Sequence, residues 1–383
     1  MLFNGKNKGI LMLVMAFMLV ITAACGANTP NNEAPANNTP AAPSNNAPAD
    51  NNEEEKTEAI TLNASGSSFI YPLFSKMFDV YNKENENVTV NYQSTGSGTG
   101  IKQLIEGITN FGATDAPMKD EEIEQAGGNV LHMPMTLGAV VIAFNLEGVE
   151  SGKLNLTGEL IADIFLGKIK NWNDPAIAAV NDGLTLPDQP IATVFRTDGS
   201  GTTHTFTDYL SAVSETWKDE IGVGKNVDFP VGIGAKGNEG LTGQLSNTPG
   251  TIGYIGLEYA TENNIPVANI QNQEGEFVTP SLDSVSAAAA GAVKVVPEDL
   301  RFSMVNMPGT GSYPIAAVTW AIVRAEQTDM NAAKEIVKAL GWANTEGQQY
   351  SAELNYAPLP AELQELNKKQ LEKVTVDGQK VME

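Results

Sequence analysis

The 383-residue sequence contains a single cysteine, Cys25, and only two histidines, His132 and His204. One cysteine excludes an intrachain disulfide, so the fold must be held together by packing. No cluster of His, Cys or acidic residues has the spacing of a metal site, and we expect no metal and no cofactor. His204 follows one of the loops described below. We expect a structural, partly buried histidine there, and a position near a ligand cleft stays open.

Basic residues are also scarce, because 23 Lys and Arg face 46 Asp and Glu, which gives a net charge of −23. The segment before Cys25 holds two lysines and no acidic residue, so the remainder carries −25. This excess argues against nucleic acids and acidic membrane surfaces as partners. It does not exclude a small anionic ligand, since exposed charges more than about 8–10 Å apart are largely screened in physiological salt.

The longest apolar run, Ile10–Ile21, has about a dozen residues, whereas a membrane-spanning helix needs roughly 20. Lysines precede the run and small residues follow it, so residues 1–24 are predicted to be a signal peptide. The small residues directly before Cys25 resemble the lipobox of bacterial lipoproteins, which predicts lipidation of Cys25. Thr22 departs from this pattern, which usually has leucine there. An ordinary signal peptide followed by a chance cysteine is the alternative.

Residues 25–58 consist mainly of Asn, Pro and Ala and include the acidic run Glu53–Glu55. Such a composition has little to bury, so a disordered linker between a lipid anchor and a folded body is expected. The roughly 325 residues that follow exceed what one hydrophobic core usually supports, and two domains are therefore expected.

Short apolar runs alternate with segments of helical periodicity from Ile60 to near the end of the chain. Predicted strands lie at 60–62, 88–92, 111–114, 139–145, 191–195, 251–255 and 315–323. Predicted helices lie at 70–81, 101–108, from 202 onward, at 331–342 and at 361–373. Strands that alternate with helices indicate α/β domains with mainly parallel sheets.

Three loops share one design, in which a strand ends, Ser, Thr and Gly cluster, and a helix begins. They are Ser65–Phe69, Ser94–Gly100 and Arg196–Thr202. The first N–H groups of a helix lack internal partners and carry partial positive charge, so a helix start can bind an anion. One such loop is usually only an N-cap, but three together indicate an anion site. None contains a nucleotide-binding glycine motif.

These loops, together with Phe111–Pro117, Phe165–Ile169 and Gly250–Tyr254, resemble the signature segments of PstS. PstS is the phosphate-binding component of the bacterial high-affinity phosphate ABC transporter. The resemblance runs in order over about residues 59–380. It implies a two-domain, periplasmic-binding-protein-like (Venus flytrap) fold. The chain would cross between domains near Leu137–Gly138 and again between 290 and 314, which places 59–138 and about 305–383 in domain 1 and 139 to about 304 in domain 2.

The resemblance further implies that one desolvated phosphate ion is bound in the cleft and that no residue is catalytic. By position, the ligand contacts of the family fall on Ser68, Phe69, Ser97, Asp115, Arg196, Asp198, Ser200, Gly201 and Thr202. Ser68 stands where other members often carry threonine, and the hydroxyl group is retained.

The charged members of this set suit phosphate for separate reasons. The planar guanidinium of Arg196 can donate two parallel hydrogen bonds to a tetrahedral anion. Asp198 is positioned to hold and partly neutralise Arg196, or alternatively only to cap the following helix. A carboxylate at Asp115 would repel an anion unless the anion has a proton to donate, which phosphate has and sulfate lacks. A turn residue before Pro117 is the alternative for Asp115.

Three other functions stay open from the residues alone. A carrier of sulfate or molybdate is disfavoured if Asp115 lies in the pocket. A secreted phosphatase with Ser200 or Ser68 as nucleophile lacks a visible metal cluster or base. A secreted adhesin or scaffold without ligand binding is the third.

Several partners and a location are expected for a phosphate carrier of this family. The partners are ABC transporter permease subunits, served by a cytoplasmic ATPase, and the membrane through a lipid at Cys25. We expect a monomer on the extracellular face of the cell membrane. The long linker favours a Gram-positive surface, and a periplasm is the alternative. Closure of the two domains on the ion would produce the form that the permease recognises.

Overall fold

The computed structural model describes residues 59–382. The predicted signal peptide, Cys25 and the predicted linker therefore lie outside the described residues. Within 59–382, none of the helices combines the length and the hydrophobicity that a membrane span requires.

Strands and helices alternate along most of this region, as the apolar patterns predict. The strands are β1 Ile60–Gly66, β2 Val88–Ser94, β3 Phe111–Thr114, β4 Val130–Phe144, β5 Asn155–Leu156, β6 Ala192–Arg196, β7 Ile233–Ala235, β8 Thr251–Gly256, β9 Asn269–Gln271, β10 Phe277–Val278, β11 Ala316–Arg324, β12 Glu326–Gln327, β13 Thr375–Val376 and β14 Gln379–Lys380. The helices are α1 Tyr71–Glu84, α2 Ser97–Ile105, α3 Asp120–Gln125, α4 Gly158–Phe165, α5 Pro175–Ala178, α6 Gly201–Val213, α7 Glu215–Glu220, α8 Gly237–Asn247, α9 Leu257–Glu262, α10 Leu282–Ala292, α11 Met330–Asn344 and α12 Ala361–Leu371. Short 3₁₀ helices cover Val293–Val295, Glu346–Tyr350 and Ala352–Leu354.

Two predicted boundaries are wrong for local reasons. The helix predicted to continue to 108 ends at Ile105, because Gly107 adopts a positive φ of 69° and turns the chain, which leaves Ile108 59% exposed. The strand predicted at 139–145 is only the second part of β4, whose fifteen residues are all buried. Pro134 and His132 interrupt the apolar run in its first part, so the sequence pattern does not predict a strand there.

One eight-stranded sheet organises the molecule, in the order β2-β1-β3-β11-β4-β8-β6-β7. Both flanks are parallel, with β1 beside β2 and β3, and β6 beside β7 and β8. The pairs around the centre, β3–β11, β11–β4 and β4–β8, are antiparallel. The α/β prediction is confirmed, and the parallel pairing that it emphasised belongs to the flanks of a mixed sheet.

Strand β4 changes its partner halfway along its length. Its first part pairs with β11 up to Ala139, which faces Ala316, and its second part pairs with β8 from Val140, which faces Gly256. We call β2, β1, β3, β11 and residues 130–139 the first half-sheet. Residues 140–144 with β8, β6 and β7 form the second half-sheet. Strands β1, β2 and β3 run in the same direction as β4 and end toward the second half-sheet, whereas β6 runs in the opposite direction and ends toward the first. The loops after β1, β2, β3 and β6 therefore face one another where the two half-sheets meet.

Each half-sheet is covered by its own aromatic packing. Helix α1 places Phe74 and Phe78 against the first half-sheet, where Phe78 contacts Phe111 edge-on at 5.9 Å between ring centroids. In the second, Phe206 of α6 stacks on Tyr254 of β8 at 4.2 Å. These fully buried rings fix α1 and α6 against the strands, so the positions at which both helices begin are determined by the core.

Candidate anion-binding site

The loops that follow β2, β3 and β6 meet at one place. The Gly98 N–H donates to the Gly199 carbonyl at 2.8 Å, which joins the second and third predicted loops. A Cβ atom built on Gly201 would lie 2.6 Å from both the Asp115 Cβ and the Ser97 Oγ. Segments that are distant in sequence are therefore in backbone contact, and only glycine fits at these points.

The first loop supplies Ser68 and Phe69, both almost completely buried. The Ser68 Oγ accepts two hydrogen bonds of 3.1 Å from Asn238, one from its backbone N–H and one from its Nδ2. The Phe69 N–H, a predicted phosphate donor, donates to the Ser67 Oγ at 3.0 Å. Asn238 is the second residue of α8, which packs against β8 of the second half-sheet. The first loop is therefore held by a segment from the other half of the sheet.

Ser97 of the second loop lies beside Asp115. Ser97 is the first residue of α2, and Asp115 directly follows β3. The Asp115 N–H donates to the Ser97 Oγ at 3.3 Å, and this oxygen is also 3.5 Å from the Asp115 Oδ2. The turn before Pro117 thus aims the Asp115 carboxylate into the region where the loops meet.

The two carboxylate oxygens of Asp115 differ in their partners. Oδ1 accepts from the Ser67 Oγ at 2.5 Å and from the Thr319 Oγ1 at 2.7 Å, whereas Oδ2 has only the long contact with Ser97. Burial raises the pKa of Asp115 to about 6, and the hydroxyls of Ser67 and Thr319 and the charge of Arg196 oppose this rise. Oδ2 is therefore the oxygen that keeps capacity to accept a further hydrogen bond.

Arg196 and Asp198 form a two-point ion pair. The Arg196 Nε donates to the Asp198 Oδ1 at 2.7 Å and its Nη2 donates to Oδ2 at 2.6 Å. The side chains are 1% and 9% exposed. Burial alone would raise the pKa of Asp198, but the hydrogen bonds and charge of Arg196 and the Gly237 N–H hold it below its usual value. The remaining Arg196 nitrogen, Nη1, lies 3.4 Å from the Thr202 Oγ1.

Helix α6 begins at Gly201 and is capped by Ser200, whose Oγ accepts from the Thr203 N–H at 3.0 Å. The alternative in which Asp198 caps this helix is wrong, because the Asp198 carboxylate is engaged by Arg196 and Gly237. Gly201 and Thr202 form the first turn, where N–H groups have no acceptor inside the helix. The hydroxyl of Tyr254 accepts from the Arg196 N–H at 3.1 Å and thereby ties the loop to the aromatic core.

The nine predicted residues are thus brought into one buried cluster. Ser97, Asp115 and Gly201 are in contact, and Ser68, Thr202, Arg196 and Asp198 are joined through the side chain of Asn238, whose Nδ2 is also 3.3 Å from the Thr202 Oγ1. Phe69 and Ser200 are the chain neighbours of Ser68 and Gly201. Their contacts with a ligand stay a prediction.

Sequence reasoning missed three polar members of this cluster: Ser67, Asn238 and Thr319. A signal existed for two of them. Ser67 lies within the predicted loop, and Thr319 is the one polar residue in the apolar run 315–323. Asn238 follows no recognised pattern, since its role depends on the folding of α8 against β8 and the first loop.

A cavity of about 200 Å³ adjoins Asp115 and is lined by His204, Asp208 and Arg301. Burial lowers the pKa of His204. His204 therefore lies near the cluster, although its role stays a prediction. Among residues 59–382, no group of three or more His, Cys, Asp or Glu side chains is arranged to hold a metal ion.

The chain is similar in sequence to known proteins. A family model described as a PBP superfamily domain matches residues 51–342. The phosphate-binding protein PstS of Xylella fastidiosa strain 9a5c is 42% identical over 309 residues, which are 81% of this chain and 84% of that protein. The phosphate-binding protein PstS of Pasteurella multocida is 42% identical over 307 residues, which are 80% of this chain and 88% of that protein.

A solved structure also resembles this fold. It is a high-affinity periplasmic phosphate-binding protein, determined with bound phosphate at pH 8.5. The TM-score is 0.63 at 20% identity, and the match covers 80% of this chain and 92% of the other. At this identity the likeness establishes the fold alone.

Proposed function

This chain belongs to the PBP superfamily and, within it, to the family of PstS phosphate-binding proteins, and we propose that it binds inorganic phosphate and delivers it to an ABC transporter. The observation that carries the proposal is the buried Asp115 carboxylate beside hydroxyl, amide and guanidinium donors. Near neutral pH, phosphate is the common tetrahedral anion that needs hydrogen-bond donors for its oxygens and also an acceptor for its own proton.

Discrimination against sulfate follows from the free capacity of Asp115 Oδ2. A protonated phosphate oxygen can donate to Oδ2, whereas sulfate has no proton to donate and would leave the carboxylate facing an anionic oxygen. Leaving a buried charged group without its donor costs about 1–3 kcal/mol or more, and like-charge repulsion adds to it. Since 1.4 kcal/mol is a ten-fold change in affinity, one side chain can separate the two anions by orders of magnitude.

The Arg196–Asp198 pair supports recognition by shape rather than by net charge. Asp198 holds the guanidinium in one orientation, and Arg196 keeps an Nη1 hydrogen that is only weakly used by Thr202. The anion would then be stabilised chiefly by backbone N–H groups at the starts of α2 and α6 and by the hydroxyls of Ser68, Ser97 and Thr202.

Two domains that close on the ion are part of the proposal. The change of partner within β4 at Ala139 supports a first crossing near Leu137–Gly138. The second crossing is proposed between 290 and 314, with the domain boundary at about 304. With these limits, the Lys225–Glu122 ion pair of 2.7 Å and the Asn238–Ser68 hydrogen bonds join domain 2 to domain 1. These contacts would form only when the cleft is shut.

We propose a carrier rather than an enzyme. A phosphatase would need a base to activate its serine. In the described region, the Ser200 Oγ caps α6 and the Ser68 Oγ accepts from Asn238, and no carboxylate or imidazole accepts from either hydroxyl.

We further propose that the protein acts as a monomer on the outer face of the cell membrane. A lipid at Cys25 would hold it there, where it meets the permease subunits.

Calorimetric titration of the purified protein with phosphate and with sulfate tests the function. Tight phosphate binding and at least hundred-fold weaker sulfate binding are expected, and Asp115→Asn should narrow this ratio. Equal affinities for both anions would contradict the proposal. Release of phosphate from a chromogenic ester, abolished by Ser200→Ala, would support the phosphatase instead. Mass spectrometry of the membrane-extracted protein tests the lipid at Cys25.

A further inference from the structure

Glu258 is a buried carboxyl group that the phosphate site does not use. It is the second residue of α9 and only 4% exposed. Neither of its carboxylate oxygens has a hydrogen-bond partner of acceptable geometry among residues 59–382. The carboxyl group packs against Gly256, where a Cβ atom would collide with it. An ionised carboxylate in such a place is strongly disfavoured, whereas a neutral carboxyl group is tolerated.

The hydroxyl groups near Glu258 are already committed to the first loop of the cluster. The Tyr356 Oη donates to the Phe69 carbonyl, and the Tyr259 Oη donates to the Ser68 carbonyl at 2.6 Å. Each tyrosine has one hydroxyl proton, so neither can also serve as the principal donor to an ionised Glu258. A neutral Glu258 could instead donate its own proton to the Tyr356 Oη. A series of hydrogen bonds would then run from Glu258 through Tyr356 to the Phe69 carbonyl, which belongs to the loop predicted to contact phosphate.

The charges that face Glu258 all have the same sign. Asp115 acts on it from the phosphate site, and Glu239, Glu262 and Glu353 line the groove of about 600 Å³ in which it lies. Tyr71, Tyr259 and Tyr356 are the other titratable groups around it, and no lysine or arginine lines this groove within 59–382.

The pKa of Glu258 is raised well above its usual value, first by burial and then by the charge of Asp115. Its own backbone N–H and the Tyr356 hydroxyl act in the opposite direction without reversing the shift.

We propose that Glu258 is a proton-binding site that is filled when the cleft closes, so that phosphate binding is linked to proton uptake. This inference rests on the proposed function and its two domains. Glu258 lies in proposed domain 2, whereas Tyr356, Ser68 and Phe69 lie in domain 1. Opening the cleft would separate them and let water reach the carboxyl group, which would then ionise near the usual pKa of a glutamic acid.

The sign of the linkage follows from this exchange. The closed form holds the Glu258 proton more tightly than the open form. The stabilisation of the closed form by this proton is therefore complete below the pKa that Glu258 has in the open form. It is lost as the pH rises toward the pKa that Glu258 has in the closed form. Between these limits the contribution of Glu258 weakens phosphate binding by up to about ten-fold per pH unit. Phosphate itself also titrates, but it does so equally in a variant that changes only Glu258. The interaction of Glu258 with Asp115 is part of the difference that the variant measures.

Titration calorimetry with phosphate in two buffers of different ionisation enthalpy measures the protons taken up on binding. Glu258→Gln keeps the shape and a donor toward Tyr356 but cannot titrate. We expect the wild type to take up between a half and one proton more than Glu258→Gln near pH 7. We also expect the affinity of the variant to exceed that of the wild type increasingly as the pH rises. Glu220→Gln, an exposed change at the end of α7 and outside this groove, should behave like the wild type.

Equal proton uptake by the wild type and by Glu258→Gln would overturn the inference while leaving phosphate binding intact. Absence of phosphate binding by the wild type would instead remove the proposed function. If Glu258→Gln does not fold, infrared difference spectra of the protein with and without phosphate test whether Glu258 is protonated on binding. Phosphate should produce the carbonyl stretch of a newly protonated carboxyl group in the wild type, and this band should weaken in Tyr356→Phe. A spectrum without that band overturns the inference.

Discussion

Gly201 and Asp115 touch so closely that a Cβ atom on Gly201 would lie 2.6 Å from the Asp115 Cβ and 2.7 Å from the Asp115 backbone nitrogen. Gly201 starts α6 beside the second half-sheet, and Asp115 directly follows β3 of the first. The contact therefore joins the two sides of the proposed cleft through backbone atoms, which cannot move aside as a flexible side chain can.

Gly201→Ala is expected to prevent full closure and to weaken phosphate binding at least hundred-fold, because the new methyl group holds the two loops apart. Calorimetry measures the affinity, and small-angle scattering shows whether phosphate still compacts the protein. Gly243→Ala on α8 is the matched control, since a Cβ there has no atom within 4 Å. This control should bind normally and gain up to about 1 kcal/mol of stability, because alanine favours a helix over glycine. Normal closure of Gly201→Ala would contradict the contact.

Asn238→Ala is expected to speed phosphate release and to weaken binding about ten- to hundred-fold. The change removes the Nδ2 bonds to Ser68 and Thr202 and the Oδ1 that accepts from the Gly256 N–H at 3.2 Å. Stopped-flow release measures the rate, and calorimetry measures the affinity. Asn247→Ala, an exposed change at the end of the same helix, should leave both unchanged. Equal release rates for the two variants would show that Asn238 does not hold the loops.

The raised pKa of Asp115 predicts that the stability of the closed conformation depends on pH. Burial raises the pKa of the Asp115 carboxyl group to about 6, above the usual value of 3.8. Its contribution to the free energy of unfolding is therefore complete below about pH 4 and is lost as the pH rises through about 6. The loss amounts to about 3 kcal/mol at most.

Asp115→Asn removes this dependence. The stability of the variant relative to the wild type should rise between pH 4 and pH 7, as measured by urea denaturation at several pH values. Carboxylates that do not interact with Asp115, which excludes Glu258, affect both proteins equally and cancel in the difference. A difference that stays constant with pH would mean that Asp115 titrates normally.

Arg196→Ala is expected to weaken phosphate binding at least hundred-fold and to lower the melting temperature, since it leaves Asp198 buried without its partner. Truncating one member of a buried, hydrogen-bonded charge pair costs about 2–5 kcal/mol. Arg196→Ala combined with Asp198→Ala should recover the stability but not the affinity. Lys170→Ala removes the same charge from an exposed position and serves as the control. Recovery of affinity in the double variant would show that Arg196 does not contact the ligand.

Much of the fold follows from local patterns. The strand at 111–114 and the helix from 361 match the prediction closely, because apolar spacing alone defines them. The full length of β4 could not be predicted in this way, since its first nine residues include Pro134 and His132 and are buried by tertiary contacts. The change of partner within this strand depends on β11, which arrives late in the chain.

The residues of the candidate site also fall into two groups, those that a local pattern identifies and those that depend on distant contacts. Residues such as Ser97 and Arg196 stand in loops with a recognisable composition, so the sequence identifies them. Asn238, Thr319 and Glu258 act through neighbours that are far away in the sequence, and their significance depends on how two parts of the chain pack. Glu258 carries no local signal, because an isolated glutamate near a helix start ordinarily faces solvent.

The ion pair within the third loop has a consequence for the ionic surroundings of the protein. Because Asp198 cancels the charge of Arg196, a bound anion would meet chiefly dipoles and the carboxyl group of Asp115, all within a few ångströms. Such short-range fields lie well inside a Debye length of about 8–10 Å, where dissolved electrolyte has little influence. Capture should therefore proceed equally well in dilute and in saline media.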